Sequence, residues 1–125
     1  MSKTALIVDD SRTMRQMVAF TLTNAGFTVI EAEDGKDAVN KVTAAGDVKL
    51  DIVVTDLNMP EMDGIALIRE LRKLTTFKFT PILMLTTESA MEKKQEGKAA
   101  GATGWIVKPF NPEVLLKTIA KVLPA

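Results

Sequence analysis

Short apolar runs alternate with helix-forming segments five times along this chain of 125 residues. After each run, apolar residues recur at helical spacing. A strand followed by a helix and then by another strand builds a parallel sheet with helices on both faces. The predicted strands are residues 5–8, 27–30, 52–55, 82–85 and 105–107. The sequence therefore predicts a three-layer α/β sandwich, and we expect residues 1–125 to form a single domain.

The helices predicted between and after these strands differ in how well they can be buried. Four of them carry a clear apolar stripe, whereas residues 89–100 are poorly amphipathic, with five charged residues among twelve, and should dock weakly. Asp63 and Asn111 are the expected N-caps of the third and fifth helices. The segment 75–80 before the fourth strand is predicted to be a polar linker. The first apolar residues of the four clear stripes are Met14, Ala38, Leu67 and Leu115.

Composition removes several classes of function. The chain has no cysteine and no histidine, which excludes thiolate nucleophiles, cysteine or imidazole metal sites and a Ser-His-Asp triad. The formal net charge is zero, and no basic block suggests a nucleic-acid or membrane partner. No apolar run approaches the roughly 20 residues that span a bilayer, and the first residues do not resemble a signal peptide. We therefore expect a cytoplasmic protein that works through carboxylate, hydroxyl and lysine chemistry.

Polar residues whose side chains could bind a ligand or react lie at the ends of four predicted strands. Asp9 and Asp10 follow the first strand, Asp56 the third, Thr86 the fourth and Lys108 the fifth. The carboxyl ends of parallel strands meet at one edge of the sheet, where ligands bind in folds of this class. These five side chains are therefore expected to lie close together.

Such a group has a definite chemistry. Crowded carboxylates raise one another's pKa unless a cation joins them, and oxygen ligands suit Mg²⁺. That ion could be held by Asp9, Asp10 and Asp56 together with a loop carbonyl. A phosphoryl group on Asp56 could then be bound by Lys108 and Thr86. For each residue taken alone, a structural role is the alternative, such as helix capping or a solvated surface position. The coincidence at successive strand ends favours the phosphoryl site.

These motifs resemble the receiver domain of two-component response regulators, and most closely the stand-alone, CheY-like chemotaxis regulators. The resemblance covers essentially the whole chain in order. It implies a flavodoxin-like, doubly wound fold with five parallel strands in the order 2-1-3-4-5. The matching motifs are Asp9-Asp10, the stretch 56–64 (DLNMPEMDG), Thr86 and Lys108-Pro109-Phe110.

The resemblance also implies a role for each residue at the acidic site. Asp56 would accept a phosphoryl group from the phosphohistidine of a histidine kinase. Mg²⁺ would bind Asp10, Asp56 and the backbone carbonyl of Asn58 directly, with Asp9 helping through water. The protein would carry out its own phosphoryl acceptance and autodephosphorylation, without being an enzyme that turns over a small substrate.

A second set of implied roles concerns the switch. Lys108 would pair with the phosphoryl oxygens, the Lys108–Pro109 bond would be cis, and Thr86 would move to hydrogen-bond one phosphoryl oxygen. Trp105 stands where the family has its aromatic switch, although simple core packing is an equally good interpretation of its position. Movement of Thr86 and Trp105 would alter the face formed by the fourth helix, last strand and last helix.

The output partner is less defined by the sequence. Lys93 and Lys94 stand on the fourth helix where chemotaxis regulators often present a more apolar surface. We expect no effector segment beyond residue 125, so output is expected through protein contacts of a monomer. The candidates are a flagellar motor switch or another effector, with a phosphatase as a further partner; a phosphorelay intermediate or an adaptor is the alternative.

Two other classes of protein are alternatives to a receiver domain. A Mg²⁺-dependent aspartyl-phosphate hydrolase would carry its second acid two residues after the nucleophile, but here Asp9 and Asp10 are adjacent and residue 11 is Ser11. A flavodoxin-like cofactor binder would need a glycine- and hydroxyl-rich phosphate loop after the first strand, where the two aspartates would instead repel a phosphate.

Overall fold

The computed structural model describes residues 3–44, 49–59, 62–87 and 91–123. Every neighbouring pair of strands is parallel, and the strand order is β2-β1-β3-β4-β5. This confirms the doubly wound α/β fold and its strand order. The strands are β1 (Thr4–Val8), β2 (Thr28–Ala32), β3 (Ile52–Asp56), β4 (Ile82–Thr86) and β5 (Gly104–Val107).

Five helices cover the two faces of the sheet. They are α1 (Arg12–Asn24), α2 (Gly35–Ala44), α3 (Gly64–Lys73), α4 (Met91–Ala100) and α5 (Pro112–Val122). One core cluster joins the sheet to α2, α3 and the end of α4, and the other joins it to α1 and α5. Strands β3 and β4 are buried along their whole length because both of their faces are covered. Within the described residues, no helix is long and apolar enough to cross a membrane.

Side-chain caps fix three of the loops at the carboxyl edge of the sheet. Ser11, Asp63 and Asn111 each accept a hydrogen bond from the backbone N–H three residues later, over 3.3, 2.8 and 2.9 Å. Each cap satisfies a backbone donor that the helix itself cannot pair. The predictions for Asp63 and Asn111 are confirmed, and the loops after β1, β3 and β5 have defined ends.

The main departures from the predicted boundaries occur in two places. Strand β2 continues through Glu31 and Ala32, beyond its predicted end at residue 30, because Ala32 is buried beneath α2. The predicted polar linker 75–80 contains a short 3₁₀ helix, Thr75–Phe77, whose Phe77 is buried in the core. The segment holds two phenylalanines, of which Phe79 is exposed, and this short pattern could not reveal that Phe77 is the buried one.

Helix α4 is held by little packing, as its charged sequence predicts. Only Gly97 and Ala100 are buried among its residues. A Cβ atom at Gly97 would lie 2.6 Å from Cε of Met84, so the absence of a side chain lets the helix approach β4. The first residues assigned to this helix from the sequence, Ser89 and Ala90, lie outside the described part of the chain.

Candidate functional site

Three carboxylates meet at the carboxyl edge of the sheet. Asp9 and Asp10 follow β1, and Asp56 is the last residue of the neighbouring β3. One carboxylate oxygen from each of the three lies within 4.8 Å of the others. Asp10 is exposed, whereas Asp9 is 1% and Asp56 is 6% exposed. The structure therefore brings together the three acids singled out in the sequence.

Asp9 is the most deeply buried member of this group. Its Oδ1 accepts a hydrogen bond from the N–H of Ser11 at 2.9 Å. Within the described residues, its buried Oδ2 has no hydrogen-bond partner, and the nearest cation is Lys108 Nζ at 3.7 Å. Burial raises the pKa of Asp9, and the charges of Asp56 and Asp10 raise it further, while the Ser11 N–H and Lys108 oppose the rise.

Lys108 supplies the positive charge of the site. Its Nζ donates to Oδ1 of Asp56 at 3.0 Å, and the same oxygen accepts the N–H of Leu57 at 3.0 Å. The lysine side chain is only 15% exposed, and its backbone N–H donates to the carbonyl of Thr86 at 2.7 Å. The peptide bond between Lys108 and Pro109 is cis, as the resemblance implied. Asp56 is thus both a strand-end acceptor of a loop N–H and the partner of a largely buried cation.

Thr86 and Asn58 stand at the carboxyl edge of the sheet on different elements. Thr86 is the buried last residue of β4, the strand between β3 and β5. Asn58 is exposed in the loop that follows β3. Their positions are compatible with the roles expected for the Thr86 hydroxyl and the Asn58 carbonyl, and those roles stay predictions.

Trp105 does not belong to the acidic site. It lies on β5 three residues before Lys108 and packs, partly buried, against the core cluster under α2, α3 and α4. The Nζ atom of Lys94, on α4, lies 5.2 Å from the centre of a Trp105 ring. This cation–π contact joins the weakly packed α4 to the last strand.

The acidic group fits a hard divalent cation. All three of its ligand atoms are carboxylate oxygens, the donor type that Mg²⁺ prefers. The buried Oδ2 of Asp9, which has no hydrogen-bond partner among the described residues, is an acceptor that a cation would satisfy. Asp9, Asp10 and Asp56 could therefore hold a metal ion.

Arg15 is a residue near the site that the sequence did not reveal. From the first turns of α1, its Nη1 donates to the backbone carbonyl of Asp9 at 2.8 Å, and its Nε donates to Oε1 of Glu31 at 3.2 Å. Because every residue has a backbone carbonyl, the sequence does not show that Arg15 will bind the carbonyl of Asp9. Only the unusual burial of an arginine, at 17% side-chain exposure, identifies it.

Comparison with known proteins gives a consistent result. The family described as the response regulator receiver domain matches residues 5–120. The chain is 43% identical over 119 residues to the chemotaxis protein CheY1 of Helicobacter pylori, which covers 94% of both chains. It is 42% identical to a CheY homologue of Campylobacter jejuni, over 94% of this chain and 90% of that one. The solved structure of CheY4 of Vibrio cholerae matches at 52% identity and a TM-score of 0.92, over 98% of this chain and 100% of that one.

Proposed function

The chain belongs to the family of response regulator receiver domains, and on that premise we propose that it is a phosphorelay signalling protein that accepts a phosphoryl group on Asp56. The observation that carries the proposal is the contact of 3.0 Å between Lys108 Nζ and Asp56 Oδ1. It sets a largely buried cation beside one carboxylate of a cluster of three. A nucleophile, an electrophilic cation and a metal-binding group are the parts that phosphoryl transfer requires.

A histidine that donates the phosphoryl group would belong to another protein, since this chain has no histidine. We infer a phosphohistidine on a histidine kinase. A carboxylate oxygen of Asp56 attacks the phosphorus, the bond from phosphorus to the donor imidazole nitrogen breaks, and that nitrogen keeps the electron pair. The product is an acyl phosphate on Asp56. Lys108 is already within hydrogen-bond distance of Asp56 and would pair with the added phosphoryl oxygens without crossing the site.

Mg²⁺ is the cofactor that this site would bind. Asp9, Asp10, Asp56 and the backbone carbonyl of Asn58 would hold it, and when bound it supplies positive charge that offsets both the carboxylates and the phosphoryl group. Thr86 would hydrogen-bond a phosphoryl oxygen from the neighbouring strand. Hydrolysis of the acyl phosphate would reset the protein, so autodephosphorylation is part of the proposal.

The proposed output runs from Thr86 to the face formed by α4, β5 and α5. Trp105 lies on that face, and its contact with Lys94 links it to α4. The relatives named above are chemotaxis proteins, so we propose a cytoplasmic role in chemotaxis, with a flagellar motor switch as the effector. A phosphorelay intermediate is the second candidate, favoured by the charge of Lys94 on this face. A pull-down with the beryllofluoride-bound protein, and with Asp56→Asn as control, distinguishes the two by the protein captured.

The phosphoryl acceptor is tested with acetyl phosphate, Mg²⁺ and intact-protein mass spectrometry. We expect one phosphoryl group on the native protein, none after chelation with EDTA, and none on Asp56→Asn. Asp63→Asn is the matched control, because it makes the same chemical change in the same loop and keeps the helix cap. Labelling that persists in Asp56→Asn would contradict the proposal, and sustained hydrolysis of phosphomonoesters would favour a hydrolase.

A further inference from the structure

Arg15 ties three elements together beside the acidic cluster. It lies on α1, its Nη1 binds the carbonyl of Asp9 just after β1, and its Nε binds Glu31 on β2. The first contact measures 2.8 Å and the second 3.2 Å. The arginine does not touch a carboxylate of the cluster in either contact. It acts on the backbone that carries two of the three acids.

The backbone of Asp9 is held at every polar atom. Its N–H donates to the carbonyl of Ala32 at 3.2 Å, and its carbonyl accepts from Arg15. Its Oδ1 accepts from Ser11, so that Oδ2 is the one oxygen aimed at the site without a hydrogen-bond partner among the described residues. Asp9 is therefore presented in a fixed orientation.

The carbonyl bound by Arg15 belongs to the peptide group that joins Asp9 to Asp10. A peptide group is planar, and its plane contains the Cα atoms of both residues. A donor that fixes the oxygen of this group therefore restrains the peptide plane and with it the two Cα atoms from which the side chains of Asp9 and Asp10 leave the backbone. The side chain of Asp10 is itself exposed, so burial does not hold it in place.

We propose that Arg15 is a positioning residue of the acidic site, which sets the separation of the Asp9 and Asp10 carboxylates and so raises the affinity for a divalent cation. This inference rests on the proposed function. Its physical basis is preorganisation, since ligands held in place by surrounding hydrogen bonds lose less freedom when the ion binds. Glu31 orients the guanidinium from β2 and should contribute less, because its side chain is 44% exposed.

The sign of the effect separates positioning from simple electrostatics. Removing the positive charge of Arg15 near a cation site would by Coulomb's law strengthen binding of Mg²⁺. If Arg15 acts by positioning, its removal must weaken binding instead. Outer-shell partners of metal ligands typically change affinity by 10–100-fold, so we expect Arg15→Met to raise the Kd for Mg²⁺ roughly tenfold.

The test is a titration of the native protein and its variants with MgCl₂, followed by amide NMR. Arg15→Lys should recover part of the affinity, because an ammonium can donate to the same carbonyl. Arg72→Met is the matched control: Arg72 also donates from a helix to backbone carbonyls, those of Phe77, Thr80 and Gly101. It should lower stability to urea and leave the Kd for Mg²⁺ unchanged.

Unchanged or tighter Mg²⁺ binding by a folded Arg15→Met would overturn the inference. Arg15 would then have only a structural role, as a contact between α1 and β2. If Arg15→Met fails to fold, Arg15→Ala provides the same test, because alanine also lacks a donor. Native or tighter affinity of Arg15→Ala would overturn the inference, and weaker affinity at native unfolding free energy would support it. Failure of the proposed function looks different. In that case the native protein itself shows no Mg²⁺-dependent labelling by acetyl phosphate.

Discussion

The Nζ atom of Lys108 lies 3.0 Å from Oδ1 of Asp56, although 52 residues separate the two in the sequence. They stand at the ends of β5 and β3, on either side of β4. The same Nζ is 3.7 Å from the buried Oδ2 of Asp9. The ammonium group of Lys108 thus offsets the negative charge of two largely buried carboxylates. The stability of this cluster therefore depends on Lys108.

Replacing Lys108 should destabilise the protein when no metal is present. Lys108→Met leaves Asp56 and Asp9 without their cation, which should lower the free energy of unfolding by about 1.5–3 kcal/mol, the range for hydrogen bonds to charged groups. Urea denaturation in EDTA measures the change. Lys73→Met is the control, since its pair with Glu70 is exposed and should contribute about 0–1 kcal/mol. Equal losses in the two variants would show that Lys108 stabilises nothing at the site.

The pH dependence of stability should reveal the buried Asp9. Burial raises the pKa of Asp9 in the folded protein above its ordinary value of 3.8. Its favourable contribution is therefore complete below the unfolded-state pKa and is lost as pH rises through the folded-state pKa, so ionised Asp9 costs stability at neutral pH. We expect Asp9→Asn to be more stable than the native protein at neutral pH, with the difference shrinking on acidification.

Urea denaturation of the native protein and of Asp9→Asn in EDTA, from neutral to acidic pH, measures the difference in their stability. Mg²⁺ provides an internal control, because it should stabilise the native protein more than Asp9→Asn. A difference that is constant with pH would mean that the Asp9 carboxylate is not the titrating group.

Gly64 should tolerate no side chain. A Cβ atom there would lie 2.4 Å from the carbonyl oxygen of Asp56 and 3.0 Å from Cα of Leu57, both of them backbone atoms that cannot turn away. Gly64→Ala is expected to cost about 1–3 kcal/mol and to slow labelling by acetyl phosphate, because the end of β3 must shift. Gly104→Ala is the control, since its nearest neighbour is the flexible end of Leu83 at 3.3 Å. Urea denaturation that ranks Gly104→Ala as the more damaged variant would contradict this packing.

The acidic side chains and Lys108 could be predicted from the sequence, whereas several residues that hold the surrounding structure could not. Asp9, Asp56 and Lys108 were found because parallel strands end at one edge, so that position along the chain translates directly into position in space. Arg15 and Arg72 were missed because both donate to backbone carbonyls, which every residue possesses. Phe77 was missed because one buried aromatic in a short turn has no periodicity.

Lys94 should affect the surroundings of Trp105 more than the overall stability. Lys94→Met keeps the aliphatic stem but removes the charge over the ring, which should cost about 0.5–1 kcal/mol and shift the emission of the single tryptophan. Lys98→Met is the matched control, an exposed lysine on the same helix. Superimposable emission spectra of the two variants would show that Lys94 does not contact Trp105 in solution. If the switch operates as proposed, beryllofluoride with Mg²⁺ should also change the native emission.

The most direct measurement for the proposed function is the location of the phosphoryl group. The native protein is treated with acetyl phosphate and Mg²⁺, and borohydride then reduces the acyl phosphate to an alcohol, which marks the modified aspartate for peptide mass spectrometry. Asp56 is the expected position, because it alone combines the nucleophilic carboxylate with the Lys108 contact at 3.0 Å. Reduction at Asp9 or Asp10 with an intact Asp56 would contradict the assignment of the phosphoryl acceptor.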